Sequence, residues 1–228
     1  QVGTQKAIEI KIAPPNIQMA QFIIHGTAPL VIHKFSQKAI KTIRDKQELG
    51  SLANKNKIRT AKDFDDCFNQ ARHISTEGWD GFPAGAIRAA IISACRLVGF
   101  KMTMAKLSVF IHADGFDNTE GTPLIRIIGP QPRKLESMVR VGIGGSTTDI
   151  SVRPQWLEWG AKIRIDFDAD QFSVTDISNL ISRVGMQVGI CEGRPDSKNS
   201  AGMGWGTFRI AKDESELPKD ENKKGSVK

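Results

Sequence analysis

The sequence has no tyrosine, only three cysteines, and no apolar run near the roughly 20 residues that a membrane-spanning helix needs. Cys67, Cys95 and Cys191 are odd in number and widely spaced, so free thiols are expected rather than a disulfide framework or a zinc site. The first residues also lack the basic-then-apolar pattern of a signal peptide. Together these absences favour a cytoplasmic protein without a membrane partner.

The remaining composition is that of a globular domain with an excess of positive charge. Of the 228 residues, 39% are apolar, which is enough to form a core and disfavours disorder of the whole chain. The formal net charge is +7. Such a charge favours polyanionic partners through counterion release, although it does not by itself define a nucleic-acid-binding protein.

Most of the excess charge falls in one stretch, residues 38–62, which holds eight basic and two acidic residues. A solvated helix followed by a loop would account for this stretch without any ligand. The interpretation that we favour is a basic arm lying along a phosphate backbone. Its candidate contacts are Lys38, Lys41, Arg44, Lys55, Lys57 and Arg59.

Hydrophobic periodicity divides the chain into short elements. The patterns predict strands over residues 8–12, 20–26, 30–35, 107–111, 124–128, 163–167 and 206–211. They predict helices over residues 36–48 and 63–74, a helix whose apolar face runs from Ile87 to Val98, and a helix capped by Thr175. Residues 138–153 are typical of a hairpin, because glycines surround a turn between two apolar arms.

The order of these elements predicts the fold. Without the first strand, the hairpin and one middle strand, the order is strand, helix, strand, strand, helix, strand. We therefore predict an α+β protein with a ferredoxin-like (RRM-like) βαββαβ core, a hairpin insertion and a basic helical or loop insertion. A single domain would cover residues 1–211, with insertions at about 36–80 and 130–158, and residues 212–228 would form a disordered charged tail.

The segment between the last predicted helix and the last predicted strand, residues 185–206, contains six glycines. Glycine lets the backbone approach a ligand closely, and backbone N–H groups in such turns bind anions. Its spacing does not match a P-loop, and we expect no cofactor. The candidate nucleic-acid contacts here are Arg194, Lys198, Gly202, Gly204 and Trp205. The alternative is a plain connection between a helix and an edge strand.

Three features together resemble the RAMP superfamily: the predicted order of elements, the late glycine-rich segment, and Gly-Phe-Pro-Ala-Gly-Ala-Ile-Arg at residues 81–88. In that family the first core helix often begins at a stretch like Pro-Gly-Ser-Ser-Leu-Lys-Gly-Ala-Leu-Arg. The corresponding residues here are Pro83, Gly85, Ala86, Ile87 and Arg88. The family's glycine loop is similar to Ser-Ala-Gly-Met-Gly-Trp-Gly at residues 200–206, and its thumb hairpin is similar in placement to residues 138–153.

RAMP proteins supply the RNA-binding backbone subunits of CRISPR effector complexes. The resemblance therefore implies binding of single-stranded RNA or DNA by a homo-oligomer that repeats along the strand, alone or with other effector subunits. A phage-encoded relative in DNA replication or recombination is equally compatible. The candidate contacts then also include Arg88, at the helix start, and Arg140 and Arg153, in the hairpin thumb.

Aromatic residues near loops offer a second way to hold bases. Those within two residues of a glycine or proline are Trp79, Phe82, Trp156, Trp159 and Trp205. Each of them can stack on a base, and each can equally close the end of a core.

An enzymatic function has weaker support. The histidines show no metal-ligand spacing, and a proximity of Glu192 to Arg194 indicates a loop ion pair. Some RAMP subunits cleave RNA with an aspartate after the first strand, and the aspartates in that region are Asp45, Asp63, Asp65 and Asp66. No motif surrounds them, so we expect no catalytic residue and no metal. The alternatives to a binding protein are a metal-dependent RNase of the RAMP type and a phage or plasmid structural or interaction protein.

If residues 38–62 lie on phosphates, affinity for a single strand will fall with salt at a slope of roughly −0.7 per neutralised phosphate. Changing Lys55, Lys57 and Arg59 together to glutamine is expected to flatten that slope by roughly 2 units, because three phosphate contacts are lost. The melting temperature is expected to stay the same. An unchanged slope would remove this stretch from the binding site.

Overall fold

The computed structural model describes residues 13–35, 44, 47–48, 62–141, 147–198 and 202–221. The predicted strand at residues 8–12, most of the predicted helix at 36–48 and the turn of the predicted hairpin lie outside the described residues. In the described part, helices combine with antiparallel sheets, which agrees with the predicted α+β class.

The elements have the following bounds. The helices are α1 (Phe64–Gln70), α2 (Ala84–Leu97), α3 (Met102–Ser108) and α4 (Val174–Arg183), and α4 continues into a π-helical turn at Val184–Val188. The strands are β1 (Ile17–Gly26), β2 (Leu30–Val31), β3 (His73–Ile74), β4 (Asp80–Pro83), β5 (Val109–Ile111), β6 (Gly115–Phe116), β7 (Pro123–Arg126), β8 (Arg133–Val141), β9 (Thr147–Trp156), β10 (Gly160–Asp168) and β11 (Phe208–Ile210). None of these helices is both long and apolar enough to cross a membrane.

A four-stranded antiparallel sheet in the order β11-β1-β10-β5 forms the core sheet. Alternation along β10 makes its two faces different, as the sequence pattern predicts: Ile163, Ile165 and Phe167 are fully buried, whereas Lys162 and Arg164 lie on the other face. Helices α2 and α4 pack against each other and against the apolar, inner face. The core therefore lies between this face and the two helices.

Several predicted elements differ in the structure. The strand predicted at residues 30–35 is limited to β2, and the helix predicted at residues 63–74 ends at Gln70, before β3. Helix α4 is capped by Ser173 and not by Thr175, because Ser173 Oγ accepts the Asp176 N–H at 3.1 Å while the Asp176 carboxylate accepts the Ser173 N–H at 2.9 Å. The predicted strand at residues 107–111 begins only at Val109, and Leu107 lies in α3 with 73% of its surface exposed. Leu107 lies two residues before Val109, as a strand residue on the same face would, but its side chain is not buried with that of Val109.

The predicted hairpin is present, and it is longer than residues 138–153. The pairing of β8 with β9 runs from Arg133 opposite Gln155 to Val141 opposite Thr147. At the base of the hairpin, β2 pairs with β9 and α1 packs beside it. Towards the turn, Met138 is 82% exposed. The base is therefore supported by the fold, whereas the outer part has little apolar support from the described residues.

Four of the five aromatic residues predicted either to stack on bases or to close the core are buried. Phe82, Trp156 and Trp159 are fully buried and Trp79 is 4% exposed. The indole N–H of Trp159 donates to the Ala28 carbonyl at 2.8 Å. These four residues close the core, and the stacking hypothesis is wrong for them.

Residues 212–221 form a C-terminal strap on the outer face of the core sheet, which corrects the prediction of a disordered tail over these residues. Glu214 pairs with Lys162 of β10, and Glu216 pairs with Arg209 of β11. Leu217 lies close enough to Gly160 that an added Cβ there would come within 2.4 Å of it. Because exposed ion pairs contribute little individually, several contacts together hold the strap.

A buried charge network joins the segment after β2 to the turn after β6. Lys34 Nζ lies 2.7 and 2.9 Å from the two carboxylate oxygens of Asp117, and His73 Nδ1 lies 3.0 Å from one of them. Burial opposes the ionisation of Asp117, but hydrogen bonds from Lys34 and Thr119 more than offset it and hold the pKa of Asp117 well below its usual range. Burial also lowers the pKa of His73, despite its hydrogen bond to Asp117.

Breaking this network from one side is expected to be costly. Lys34→Met or Asp117→Asn would leave a buried charged group without its partner, so each is expected to lower the free energy of unfolding by about 3–5 kcal/mol. The double variant is expected to lose much less than the sum of the two single losses. Lys162→Met, which breaks the exposed pair with Glu214, is the matched control at less than about 1 kcal/mol. Strictly additive losses in urea unfolding would contradict a coupled pair.

Candidate nucleic-acid interface

The glycine loop comprises residues 189–206, and its described parts, residues 189–198 and 202–206, lie along β2. The Glu192 N–H donates to the Val31 carbonyl at 3.0 Å, and the Gly206 N–H donates to the Pro29 carbonyl at 2.8 Å. These bonds tie the described ends of the loop to the strand that supports the hairpin. The glycine loop and the base of the hairpin therefore lie on either side of the same segment, β2 and the residue before it.

The opposite side of the glycine loop is attached to α2. The Ser93 hydroxyl donates to the carboxylate of Asp196, and Arg96 pairs with the same carboxylate at 3.0 Å. The hydrogen bond from Ser93 is the main reason why the pKa of Asp196 is below its ordinary value. The loop is thus held between β2 and α2, so its shape is set by the fold around it.

Inside the glycine loop, one carbonyl organises the turn. The Gly193 carbonyl accepts the N–H groups of Met203 at 2.7 Å and Trp205 at 3.1 Å. The Trp205 ring lies so close to Gly193 that an added Cβ there would come within 2.5 Å of it. Trp205 remains partly exposed, and it is still a candidate for stacking on a base.

Gly202 and Gly204 have the same backbone conformation but different surroundings. Their φ angles are +72° and +73°, in the left-handed region that favours glycine. A Cβ added to Gly202 would come within 2.1 Å of the Arg194 carbonyl oxygen, whereas one added to Gly204 would meet nothing within 4 Å. Gly202 is therefore required by the packing of the loop itself, and Gly204 faces open space that a ligand can occupy.

The hairpin and the glycine loop meet at an ion pair. Arg153 of β9 donates from Nε to Glu192 of the loop at 3.0 Å, and His33 Nδ1 lies 3.8 Å from the same carboxylate. The predicted pairing of Glu192 with Arg194 is therefore replaced by one with Arg153, because Arg194 donates to the Cys191 carbonyl at 3.0 Å. Burial, followed by the charge of Arg153, lowers the pKa of His33 against the effect of Glu192, so this ring is neutral at pH 7.

A cavity of about 470 Å³ lies between residues 33–35, α1 and β9, and we call it the hairpin groove. Its cations are Lys34, Lys62 and Arg153, and three carboxylates also line it: Asp63, Asp66 and Asp149. Lys62 pairs with Asp149 at 2.9 Å. Phe35 and Lys62 also line the groove, and they flank the basic residues 36–61 in the sequence. Both connections to the basic stretch therefore start at this groove.

Most of the predicted contacts of the basic stretch cannot be placed relative to this meeting point. Lys38, Lys41, Lys55, Lys57 and Arg59 lie outside the described residues, and Arg44 is helical and exposed. Arg140 is described only through its backbone, which pairs with Thr148. Lys198 is exposed in the glycine loop. Of the predicted contacts, Arg153 lies at this meeting point, whereas Arg194 lines a separate cavity beside α2.

Arg88 has a structural role in the described fold. Its guanidinium donates to the Val109 carbonyl at 2.9 Å and to the Lys106 carbonyl, and it lies over the Phe110 ring at 5.6 Å. These contacts fasten α2 to α3 and β5. They explain why an arginine is useful at this position whether or not the protein binds a nucleic acid.

The aspartates considered for catalysis also have structural partners. Asp63 caps α1 by accepting the N–H groups of Asp65 and Asp66 at 2.9 and 3.1 Å. Asp65 pairs with Lys134, and Asp66 accepts a hydrogen bond from Gln70. Asp45 lies outside the described residues. Within the described ranges, no three His, Cys, Asp or Glu side chains come together as a metal site.

The sequence predictions missed two features of this surface. One is the stacked pair of His33 and Phe35, whose burial alternates with that of Ile32 and Lys34 over only four residues. The other is the charge network around Asp117. The stretch Asp-Asn-Thr-Glu-Gly at residues 117–121 is typical of a turn closed by its aspartate, and that signal points to Asp117.

No protein-family model matches this chain, and no curated protein matches its sequence with significance. The function is therefore inferred from the residues and their geometry. The resemblance to RAMP proteins stays a prediction.

Substituting Gly202 and Gly204 separates the structural use of glycine from its use by a ligand. Gly204→Ala is expected to lower the free energy of unfolding by about 1–2 kcal/mol, the cost of a left-handed alanine. Gly202→Ala is expected to lower the free energy of unfolding by more than this, because the added Cβ would also clash with the Arg194 carbonyl oxygen. Equal losses in urea unfolding would show that the tight packing at Gly202 does not matter.

Proposed function

We propose that this protein binds single-stranded RNA or DNA and repeats along the strand as a homo-oligomer. The finer description of the fold is part of the proposal: a ferredoxin-like core formed by β1, β5, β10 and β11 with α2 and α4. The antiparallel order β11-β1-β10-β5 supports it, because a βαββαβ chain places its fourth strand beside its first and its third beside its second.

The observation that carries the proposal is the position of the hairpin groove between the hairpin and the basic stretch. Arg153 of the hairpin lines the groove, and it also binds Glu192 of the glycine loop. The basic residues 38–62 follow Phe35 in the sequence and end at Lys62, and both of these residues line the groove. A nucleic-acid strand bound here would lie beside the exposed Phe35 ring and between the two ends of the basic stretch.

The outer part of the hairpin supports the repeating arrangement. Met138 is 82% exposed and Ile150 is 39% exposed, and an isolated two-stranded hairpin is marginally stable in water. An adjacent copy of the protein, together with the nucleic-acid strand running between the two copies, would cover these exposed side chains. This arrangement is similar to the one that the RAMP resemblance implies, and other effector subunits are compatible with it.

We also propose that the protein is located in the cytoplasm. All three cysteines are free. Burial raises the pKa of the Cys191 thiol to about 12, so it is unreactive at neutral pH. Unpaired cysteines are typical of a reducing compartment.

The test is to delete residues 142–148 and close the shortened hairpin with an Asn-Gly turn. The intact protein is expected to bind a long single strand cooperatively, and electron microscopy should show filaments or rings. The deletion variant is expected to remain folded, to bind about tenfold or more weakly, and to lose cooperativity, because linked sites gain affinity from one another.

The matched control replaces residues 142–148 with an uncharged Gly-Ser segment of the same length, which keeps the length of the hairpin, and is expected to bind like the intact protein. A monodisperse monomer on a long strand at saturating concentration would contradict the repeating arrangement. If the intact protein binds neither RNA nor DNA at low salt, the whole proposal is wrong.

A further inference from the structure

Residues 32–35 present two aromatic rings on one side of the chain. Ile32 and Lys34 are 2% and 7% exposed, whereas Phe35 is 59% exposed and His33 is exposed beside it. Side chains two residues apart point to the same side of an extended segment. The His33 and Phe35 rings accordingly stack, with centroids 5.7 Å apart and planes inclined by 16°.

The buried Lys34 holds this aromatic pair in place. Its ammonium is bonded to Asp117, and its backbone N–H donates to the Ala71 carbonyl at 3.2 Å. On the other side, His33 lies against Glu192, which Arg153 holds in turn. The backbone and one ring are therefore fixed before any ligand arrives, which lowers the entropy cost of binding.

Phe35 lines two cavities. One is the hairpin groove, and the other is a cavity of about 220 Å³ that Asn69, Asn118 and Thr119 also line. Asn69 and Asn118 are both exposed, so their side-chain amides are accessible to a ligand. Amide groups of this kind match the donors and acceptors on the edge of a nucleobase.

The alternative platform is the outer face of the core sheet, where Phe110 is 45% exposed. That ring is already covered by the guanidinium of Arg88. It lies on the face that the C-terminal strap also occupies. Phe35, in contrast, has its ring partner on one side and lies beside the cations of the hairpin groove.

We propose that Phe35, backed by His33, stacks on an unpaired base of the single strand, and that the amide-lined cavity beside it receives the base edge. Arg153 and Lys62 would then face the phosphates on the groove side. This inference rests on the proposed function, and it names the feature of the ligand that is recognised there: the base as well as the backbone. Such stacking tolerates any base, because every base has an aromatic face.

The test compares two single strands that share a phosphate backbone, one of normal nucleotides and one of abasic nucleotides. The intact protein is expected to bind the normal strand about tenfold more tightly, and Phe35→Ala is expected to remove that difference while leaving affinity for the abasic strand unchanged. Phe35→Trp is expected to restore the difference. A fluorescent base analogue in the strand should be quenched by the intact protein and not by Phe35→Ala.

Phe110→Ala is the matched control, because it removes an exposed ring of the core sheet and is expected to leave both affinities unchanged. Phe35 is exposed, so its truncation is expected to leave the melting temperature as it is. If the intact protein and Phe35→Ala bind both strands equally well, the stacking site is wrong while the proposed function stands. If Phe110→Ala alone removes the preference, stacking occurs on the core sheet and the inference is overturned. If neither strand binds the intact protein, both the inference and the proposed function fail.

Discussion

The ion pair of Lys34 with Asp117 is the interaction on which the candidate surface depends. The two side chains are 6% and 0% exposed, and charged groups removed from water to this degree are stable only as partners. Lys34 follows β2, which belongs to the hairpin sheet, and Asp117 follows β6, which belongs to a separate sheet of β3, β4, β6 and β7. The pair therefore joins two sheets and sets the path of the chain towards the groove.

The core sheet is covered on its inner face and at one end of its outer face, whereas Met19 and Phe110 stay exposed at the other end. Its inner face is filled by α2 and α4, and the cations Lys162 and Arg209 are already paired with carboxylates of the C-terminal strap. In RRM proteins the free face of the sheet stacks the bases. A single-stranded nucleic acid bound at the hairpin groove would not displace the strap. The proposed interface thus lies where loops and a hairpin present side chains, which is the usual place for binding residues on a rigid scaffold.

The sequence predicted the regular elements better than the surface. Alternation in β10 and the helical spacing after Pro83 were sufficient to identify a strand and a helix, because each buries a continuous apolar face. The strap was missed because ion pairs with distant residues fix it, and no local pattern shows them. The stacked pair was missed for a similar reason. Phe35 is an apolar residue of the kind that strands usually bury, and its exposure depends on the pairing of Lys34 with the distant Asp117.

The glycine loop also bears on how homologues of this protein can be compared. A Cβ at Gly202 or Gly206 would come within 2.1 or 2.0 Å of a backbone carbonyl oxygen, so evolutionary drift at these positions is blocked whatever the protein binds. Gly204 faces open space, and Asn or Asp can enter its left-handed conformation at modest cost. Retention of Gly202 and Gly206 in a lineage would therefore record inheritance of the loop's shape. Gly204, Lys198 and Phe35 are under no such packing constraint from the described residues, so they can diverge while the shape of the loop is kept.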